Sequence, residues 1–254
     1  MSIRKIEFAT ENFYHIYNRG VEKRTIFEER FDTMRFFQSM NLFNSIEPIG
    51  SIYEHTFLLS GNKNIKKNPL VGIIAYCLNP NHFHFILTPK VTKGIQTFMH
   101  RLGTGYTMYF NEKYKRSGSL FQGVFKATHI DTNEYLLHVS AYVNLNNHIH
   151  QLGGEASKLV KSSWSEYIDK DARGIGICEK DIILGQFKSS EKYKRFALSS
   201  LDSIIERKTK EKEWQATLID WDGKFGGFAS KFTKSKSDSK KRPVARDWPL
   251  VEHE

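Results

Sequence analysis

The sequence predicts an α+β fold: a ferredoxin-like split βαβ sandwich with an antiparallel sheet, an added helix that carries a tyrosine, and a mostly helical C-terminal extension. Two observations lead to this class. Apolar residues fill positions 70–78 almost without interruption, as in a central strand. The turn sequence Asn79-Pro80-Asn81 follows, and a second apolar segment returns at 82–87, which predicts a β-hairpin. With its neighbours the hairpin gives the order strand, helix, strand, strand, helix, strand, helix.

The elements before the hairpin have their own local signals. Residues 11–20 alternate and are rich in aromatic side chains, which predicts a strand. Residues 32–43 have apolar side chains at helical spacing, with Asp32 as the expected N-cap. Residues 44–70 give no clear assignment, although 51–60 has the composition of a strand.

The elements after the hairpin complete the predicted sandwich. An apolar stripe predicts a helix over 94–114, and residues 123–130 have the composition of the fourth strand. The acid-then-Glu spacing of Asp131 and Glu134 is typical of a capping box. It predicts a further helix that runs to about Asn147.

The chain divides by composition into three regions. Residues 1–150 contain the predicted sandwich and its added helix. Residues 151–222 are expected to form a helical extension packed on or near it, including a charged amphipathic helix at 190–214. Residues 223–254 turn to Gly, Lys and Ser and are expected to form a disordered basic tail.

The overall charge favours a polyanionic partner. The formal net charge is +10 at pH 7, which is typical of nucleic-acid binding, although excess lysine could also serve solubility alone. No apolar run reaches the roughly 18 residues of a membrane span, and the N-terminus lacks a signal-peptide core. Two cysteines are too few for a disulfide framework. A cytoplasmic protein without a membrane partner is therefore expected.

Basic and aromatic residues are interleaved at 90–126, where Glu112 is the single acid. Cations of this kind bind phosphates, and exposed rings stack on unpaired bases. The candidate DNA-binding residues are Lys90, Lys93, Arg101, Lys113, Lys115, Arg116 and Lys126. The alternative for Lys113, Lys115 and Arg116 is a solvated helix end.

Two histidines interrupt the second arm of the hairpin. His82 and His84 project from the same face of the strand, because side chains alternate with period two. They lie about 7 Å apart along the strand and could converge on one metal ion. A His-x-His pair in a strand is too short a motif to define a metal site, so a third ligand is needed.

The last predicted helix offers that ligand on a polar stripe between two apolar arcs. The stripe consists of Tyr135, His138, Tyr142 and Asn146. Because apolar residues flank it, the stripe should face protein, whereas Ser140 and Asn144 on the other side are expected to face water. Tyr142 and Asn146 are one helical turn apart. The alternatives are a core tyrosine bonded to a backbone group and, for Asn146, a helix cap.

Together these residues fit one chemistry. Two imidazoles and an amide oxygen can hold a divalent ion and leave positions open for substrate oxygens. A tyrosine could then attack phosphorus, with help in losing a proton whose ordinary pKa is near 10. The resulting phosphotyrosine ester would conserve the bond energy, so cleavage and rejoining would need no ATP.

Four segments in order resemble the HUH single-tyrosine transposases, and within them the REP-associated tyrosine transposases. The similarity covers residues 10 to 195 approximately. The name HUH denotes His, a hydrophobic residue and His, and Phe83 satisfies it. Relatives often have Gln where Asn146 stands, and many have Pro where Asn147 stands. The matching segments are FYHIYNRGVEKRTIF (13–27), AYCLNPNHFHFILTP (75–89), RLGTGYTMYFNEKYKRSGSLFQGVFKA (101–127) and DTNEYLLHVSAYVNLN (131–146).

The resemblance implies a role for each candidate residue. His82, His84 and Asn146 would be metal ligands for Mg²⁺ or Mn²⁺, Tyr142 the nucleophile, and residues 1–150 the catalytic domain. The family acts on single-stranded DNA near hairpins and leaves a 5′-phosphotyrosine and a free 3′-hydroxyl. REP-associated members tend toward monomers with an added C-terminal segment, which favours a monomer here, with a homodimer as the alternative.

Three functions are open on the sequence alone. The first is a transposase-like DNA endonuclease and strand transferase. The second is a non-catalytic hairpin-binding protein derived from one, which would bind without cutting. The third is a phosphohydrolase of small nucleotides, which would turn over without a protein–nucleotide adduct and would have little use for so many cations.

Overall fold

The computed structural model describes residues 7–48, 68–150, 153–169 and 176–206. The strands are β1 (Phe13–Arg19), β2 (Val71–Asn79), β3 (His82–Pro89), β4 (Lys126–Ile130) and β5 (Lys161–Ser162). The helices are α1 (Arg30–Phe43), α2 (Gly94–Lys113), α3 (Asn133–Asn144), α4 (Asn146–Ile149), α5 (Gly154–Lys158), α6 (Trp164–Ile168), α7 (Asp181–Leu184) and α8 (190–200), with a 3-10 turn at Val21–Lys23.

The five strands form one antiparallel sheet in the order β4-β1-β3-β2-β5. The hairpin of β2 and β3 lies in the middle, as its continuous apolar sequence predicted. All nine residues of β2 are buried. The predicted α+β class with an antiparallel sheet is confirmed, and among the described residues the predicted order from the first strand to the tyrosine helix holds.

Helices cover both faces of the sheet. On one face α1 and α2 enclose the main core, where the Phe36 ring lies 5.5 Å from the Phe83 ring and 4.9 Å from the Tyr106 ring. On the other face α3 packs against β2, β3 and β4. Because side chains alternate along β3, Phe83 and Phe85 point to the first face, which leaves His82 and His84 for the α3 face.

The structure corrects three details at helix ends. Glu29, not Asp32, is the N-cap of α1; Asp32 occupies the third helical position and accepts a hydrogen bond from the Glu29 N–H. Thr132, not Asp131, caps α3, where its hydroxyl accepts from the Tyr135 N–H. This helix ends at Asn144 rather than near 147, and α4 follows as a separate turn.

The expectation that Ser140 and Asn144 face water is wrong. Both side chains are completely buried. The Tyr193 hydroxyl lies 3.1 Å from the Ser140 hydroxyl and accepts a 2.8 Å hydrogen bond from Asn144 Nδ2. The Ser163 hydroxyl donates to Asn144 Oδ1 at 2.5 Å. The side of α3 that carries Ser140 and Asn144 therefore packs against residues that follow position 150 in the chain.

Within the described residues the segment after 150 is mainly helical. The chain forms two compact units, Met1–Ser200 and Leu201–Glu254. In the second unit the described residues are 201–206, and they are helical. The predicted strand at 51–60, the end of the predicted helix at 190–214 and the basic tail lie outside the described residues. No described helix is long and apolar enough to cross a membrane.

One buried carboxylate joins α1 to α2. Asp32 is fully buried and accepts hydrogen bonds from the Tyr109 hydroxyl at 2.8 Å and the Tyr114 hydroxyl at 2.7 Å. Lys113 Nζ lies 2.6 Å from Asp32 Oδ1 and also contacts Glu29. The buried carboxylate charge is tolerated because the lysine and the two tyrosine hydroxyls form an ion pair and hydrogen bonds with it.

Replacement of this carboxylate should be strongly destabilising. In Asp32→Ala the Lys113 ammonium and two tyrosine hydroxyls lose a shared partner inside the core, which costs about 3 kcal/mol in the free energy of unfolding. Urea denaturation at pH 7 measures the change. Glu155→Ala, which breaks only an exposed pair with Lys158, should change it by less than about 0.5 kcal/mol. Equal stability of the two variants would contradict the role of Asp32.

The same contacts give stability a pH dependence. Burial alone would raise the pKa of Asp32, but hydrogen bonds from Lys113, Tyr114 and Tyr109 outweigh it and lower this pKa below its ordinary value. The stabilisation is therefore present above the unfolded pKa of about 3.9 and lost as pH falls through the lower folded value. The stability difference between the native chain and Asp32→Ala should shrink below about pH 4.

Candidate active site

The two histidines of β3 stand on the face that α3 covers. Their ring centroids are 5.2 Å apart, and His84 is buried with 7% of its surface exposed. Each ring is fixed through its Nδ1 atom. His82 Nδ1 lies 2.6 Å from Asn81 Oδ1, and His84 Nδ1 lies 2.9 Å from His15 Nε2. When Nδ1 carries the proton, as such contacts favour, Nε2 keeps the lone pair that a metal ion requires.

Tyr142 and Asn146 approach these histidines from above the sheet. The Tyr142 ring lies edge-on to the His84 ring, with centroids 5.5 Å apart. Asn146 is completely buried, and its Oδ1 lies 3.1 Å from His82 Nε2. The break between α3 and α4 does not separate the pair, because the Tyr142 ring still lies beside His84 while the Asn146 oxygen reaches His82. The structure therefore brings together all four residues singled out from the sequence.

Asn79 is a further polar neighbour that the sequence reading treated only as part of a turn. It is the last residue of β2, lies opposite His82 in the β2–β3 register and is completely buried. Its Nδ2 atom lies 2.7 Å from Asn146 Oδ1 and 2.9 Å from His82 Nε2. Asn79 thus holds the amide oxygen of Asn146 toward the imidazole.

His15 and Tyr17 of β1 complete the polar surface and were also missed. The His15 ring lies 5.1 Å from the His84 ring and 5.8 Å from the Tyr142 ring. The Tyr17 ring is nearly parallel to the His84 ring at 5.6 Å. Period-two alternation places His15 and Tyr17 on one face, but only the pairing of β1 with β3 shows that this face is the site.

Burial shifts the protonation of two groups at this site. Burial lowers the pKa of His15 to about 4, so its imidazole is neutral at pH 7 and can accept the proton of His84 Nδ1. Burial also raises the pKa of Tyr142 above its ordinary value. The Tyr142 phenol is therefore protonated at neutral pH and needs help to ionise.

Two of the three candidate donor atoms have the spacing of neighbouring ligands on one divalent cation. An octahedral ion with bonds of about 2.1 Å places neighbouring ligand atoms roughly 3 Å apart, close to the 3.1 Å between His82 Nε2 and Asn146 Oδ1. Asn146 Nδ2 is buried with no hydrogen-bond partner among the described residues, so this amide is oriented by its oxygen. In the same ranges no three His, Cys, Asp or Glu side chains form a metal cluster, so a site here depends on the amide.

The predicted DNA-binding cations differ in whether their charged groups already contact other residues of the protein. Lys90 pairs with Glu179 at 2.8 Å, and Lys113 is held by Asp32. Arg101 donates to the Ser45 carbonyl at 2.6 Å, and Arg116 contacts Asn111 and the Ser119 carbonyl. The exposed side chains of Lys93, Lys115 and Lys126 form no ion pair with any described residue.

An antiparallel α+β sandwich with a histidine pair, a tyrosine and an amide on one face defines a candidate phosphoryl-transfer protein. Residues 55–147 match the family model "Transposase IS200 like", and this segment contains His82, His84, Tyr142 and Asn146. Over this segment the chain is similar to the IS200-like transposases.

A solved structure of a REP-associated tyrosine transposase bound to a REP hairpin aligns with 14% sequence identity and a TM-score of 0.41, over 70% of this chain and 98% of that chain. No curated protein sequence matches this chain.

Proposed function

We propose that this chain is a metal-dependent single-stranded DNA endonuclease and strand transferase that acts beside DNA hairpins. In this proposal Tyr142 is the nucleophile, and His82, His84 and Asn146 hold Mg²⁺ or Mn²⁺. The observation that carries it is the convergence of these four side chains: the Tyr142 ring is 5.5 Å from His84, and the Asn146 oxygen is 3.1 Å from His82.

The chain's own residues prepare the reaction. Asn81 and His15 orient the two imidazoles, and Asn79 orients the Asn146 amide. A bound divalent cation would polarise the scissile phosphate and favour ionisation of a nearby phenol. Tyr142 is half-buried on a helix, so its phenol is positioned before substrate arrives.

In the proposed cleavage step one phosphorus–oxygen bond forms and one breaks. The Tyr142 oxygen forms a bond to phosphorus while the bond from phosphorus to the 3′-oxygen breaks. The phenol proton is lost, and the leaving oxygen takes up a proton to become a 3′-hydroxyl. The 5′-phosphotyrosine ester keeps one high-energy phosphodiester, so a second 3′-hydroxyl can reverse the step on another strand without ATP.

The experiment is direct detection of the covalent product. The full chain is incubated with hairpin oligonucleotides carrying single-stranded flanks and with Mg²⁺ or Mn²⁺, then digested and analysed by mass spectrometry. We expect a nucleotide on the peptide that contains Tyr142. Tight binding without any adduct, across both metals and several hairpins, would instead mean a hairpin-binding protein that does not cut.

We also propose how the rest of the chain serves this site. Residues 1–150 would be the catalytic domain, and 151–222 would be an extension packed on it. The contacts of Tyr193 with Ser140 and Asn144 support this arrangement, because they join the extension to the helix of the nucleophile. A monomer would then suffice, since the described site draws all its residues from one chain.

The unpaired cations predict a salt-dependent effect on hairpin binding. Lys115→Ala should weaken binding and reduce the slope of log affinity against log salt by about one, because its exposed ammonium is free to neutralise a phosphate. Lys90→Ala is the matched control: its ammonium already pairs with Glu179, so the slope should change less. Fluorescence anisotropy at several NaCl concentrations gives both slopes, and indistinguishable slopes would argue against this distribution of contacts.

A further inference from the structure

Tyr17 differs from the fully buried tyrosines of the described residues in the use of its hydroxyl. The hydroxyls of Tyr76, Tyr106 and Tyr167 all donate hydrogen bonds, to Glu166, the Ile26 carbonyl and the Ile74 carbonyl. The Tyr17 hydroxyl has no hydrogen-bond partner among the described residues, and its side chain is only partly buried. The described contacts of Tyr17 are made by its ring, which lies 5.6 Å from the His84 ring and 5.1 Å from the His15 ring.

Tyr17 lies in a row that leads from the candidate active site to an edge of the sheet. In the strand register, Tyr17 stands opposite His84 on β3 and opposite Lys126 on β4. These three side chains share one face, because directly paired residues in an antiparallel sheet point the same way. The strand of Lys126 is thus about 10 Å from the strand of His84, the breadth of two strand spacings.

Lys126 provides a cation beside this ring. Its Nζ lies 6.0 Å from the Tyr17 ring centroid, its side chain is exposed, and no described carboxylate pairs with it. An aromatic face with a neighbouring unpaired cation is the combination that binds single-stranded nucleic acid, through base stacking and a phosphate contact.

Another exposed ring and lysine pair shows why the charge matters. Lys113 Nζ lies 5.4 Å from the Phe31 ring, which is 63% exposed. That ammonium is already neutralised by Asp32 and Glu29, and the pair lies with α1 and α2 on the other face of the sheet. The Phe31 pair therefore lacks both the charge and the position to bind a strand entering the site.

We propose that Tyr17 stacks on an unpaired base next to the scissile phosphate while Lys126 binds the phosphate of that nucleotide. Tyr17 is a positioning residue, since it holds the strand over His84 without taking part in the bond exchange. This inference rests on the proposed function, because it assumes a single-stranded DNA substrate.

Fluorescence of a base analogue tests the stacking. The full chain in EDTA, which prevents cleavage, is titrated with hairpins that carry 2-aminopurine at each unpaired flanking position in turn. We expect quenching at one position. Tyr17→Leu should abolish that quenching and weaken binding about fivefold to a hundredfold. Tyr17→Phe should retain both, because the hydroxyl makes no contact, and Phe31→Leu should match the native chain.

A matched oligonucleotide separates stacking from a general loss of structure. When the base at the quenched position is removed to leave an abasic site, native and Tyr17→Leu proteins should bind equally. A weakening by Tyr17→Leu that persists on the abasic oligonucleotide would overturn the inference, and so would a Tyr17→Phe variant as weak as Tyr17→Leu. If the native chain binds no flanked hairpin, the proposed function fails as well; if it binds and Tyr17→Leu binds equally, only this inference fails.

Discussion

Tyr142→Phe is expected to abolish the covalent protein–DNA adduct and to leave hairpin binding within about twofold. The substitution removes only the oxygen that would attack phosphorus. The ring remains to pack against His15 and His84, with centroids 5.8 and 5.5 Å away. Denaturing gel electrophoresis of protein with labelled oligonucleotide measures the adduct, and anisotropy in EDTA measures binding.

Tyr135→Phe is the matched control for this result. Tyr135 occupies the same stripe of α3, two turns before Tyr142, and its hydroxyl has no described partner. Adduct formation by Tyr135→Phe should equal that of the native chain. An adduct that survives in Tyr142→Phe and disappears in Tyr135→Phe would transfer the nucleophilic role to Tyr135.

His82→Ala should produce the second large effect, a loss of Mn²⁺ affinity by at least about a hundredfold. Loss of a residue that only orients a metal ligand typically costs 10- to 100-fold in metal affinity, so removal of His82, a proposed direct ligand, should reach the upper end. The imidazole also contacts Asn146 and Asn79, and its absence leaves their amides without the partner that aligns them. Electron paramagnetic resonance of free Mn²⁺ gives the affinity independently of any cleavage.

His100→Ala provides the comparison, because His100 is an exposed histidine of α2 on the opposite face of the sheet. It should bind Mn²⁺ as tightly as the native chain and form the adduct at the same rate. Unchanged Mn²⁺ affinity in His82→Ala would remove the histidine pair from the metal site, even if an adduct were still observed.

Local sequence signals predicted most of the fold and the convergence of the four candidate site residues. Asn79-Pro80-Asn81 marked the hairpin, period two placed His82 and His84 on one face, and helical spacing aligned Tyr142 with Asn146. Each of these inferences depends on residues within about one turn or one strand of each other, where geometry is fixed by the backbone.

The parts that sequence reasoning missed depend on pairing between distant segments. His15 reaches His84 only because β1 pairs with β3, 69 residues along the chain. Asn79 has turn chemistry, and its contact with Asn146 spans 67 residues. Ser140 looked solvent-facing because its partner, Tyr193, lies 53 residues away. A polar residue on a helix does not reveal whether water or another polar group satisfies it.

The contacts of the Tyr193 hydroxyl determine how long a fragment must be to keep α3 in place. It satisfies Ser140 and Asn144, which are buried on the side of α3 away from Tyr142. A fragment ending at residue 150 would keep every residue assigned to chemistry but would leave these two polar groups without their partner. The shortest fragment that keeps the fold of this site should therefore extend past Tyr193, although Tyr193 itself touches neither the proposed metal ligands nor Tyr142.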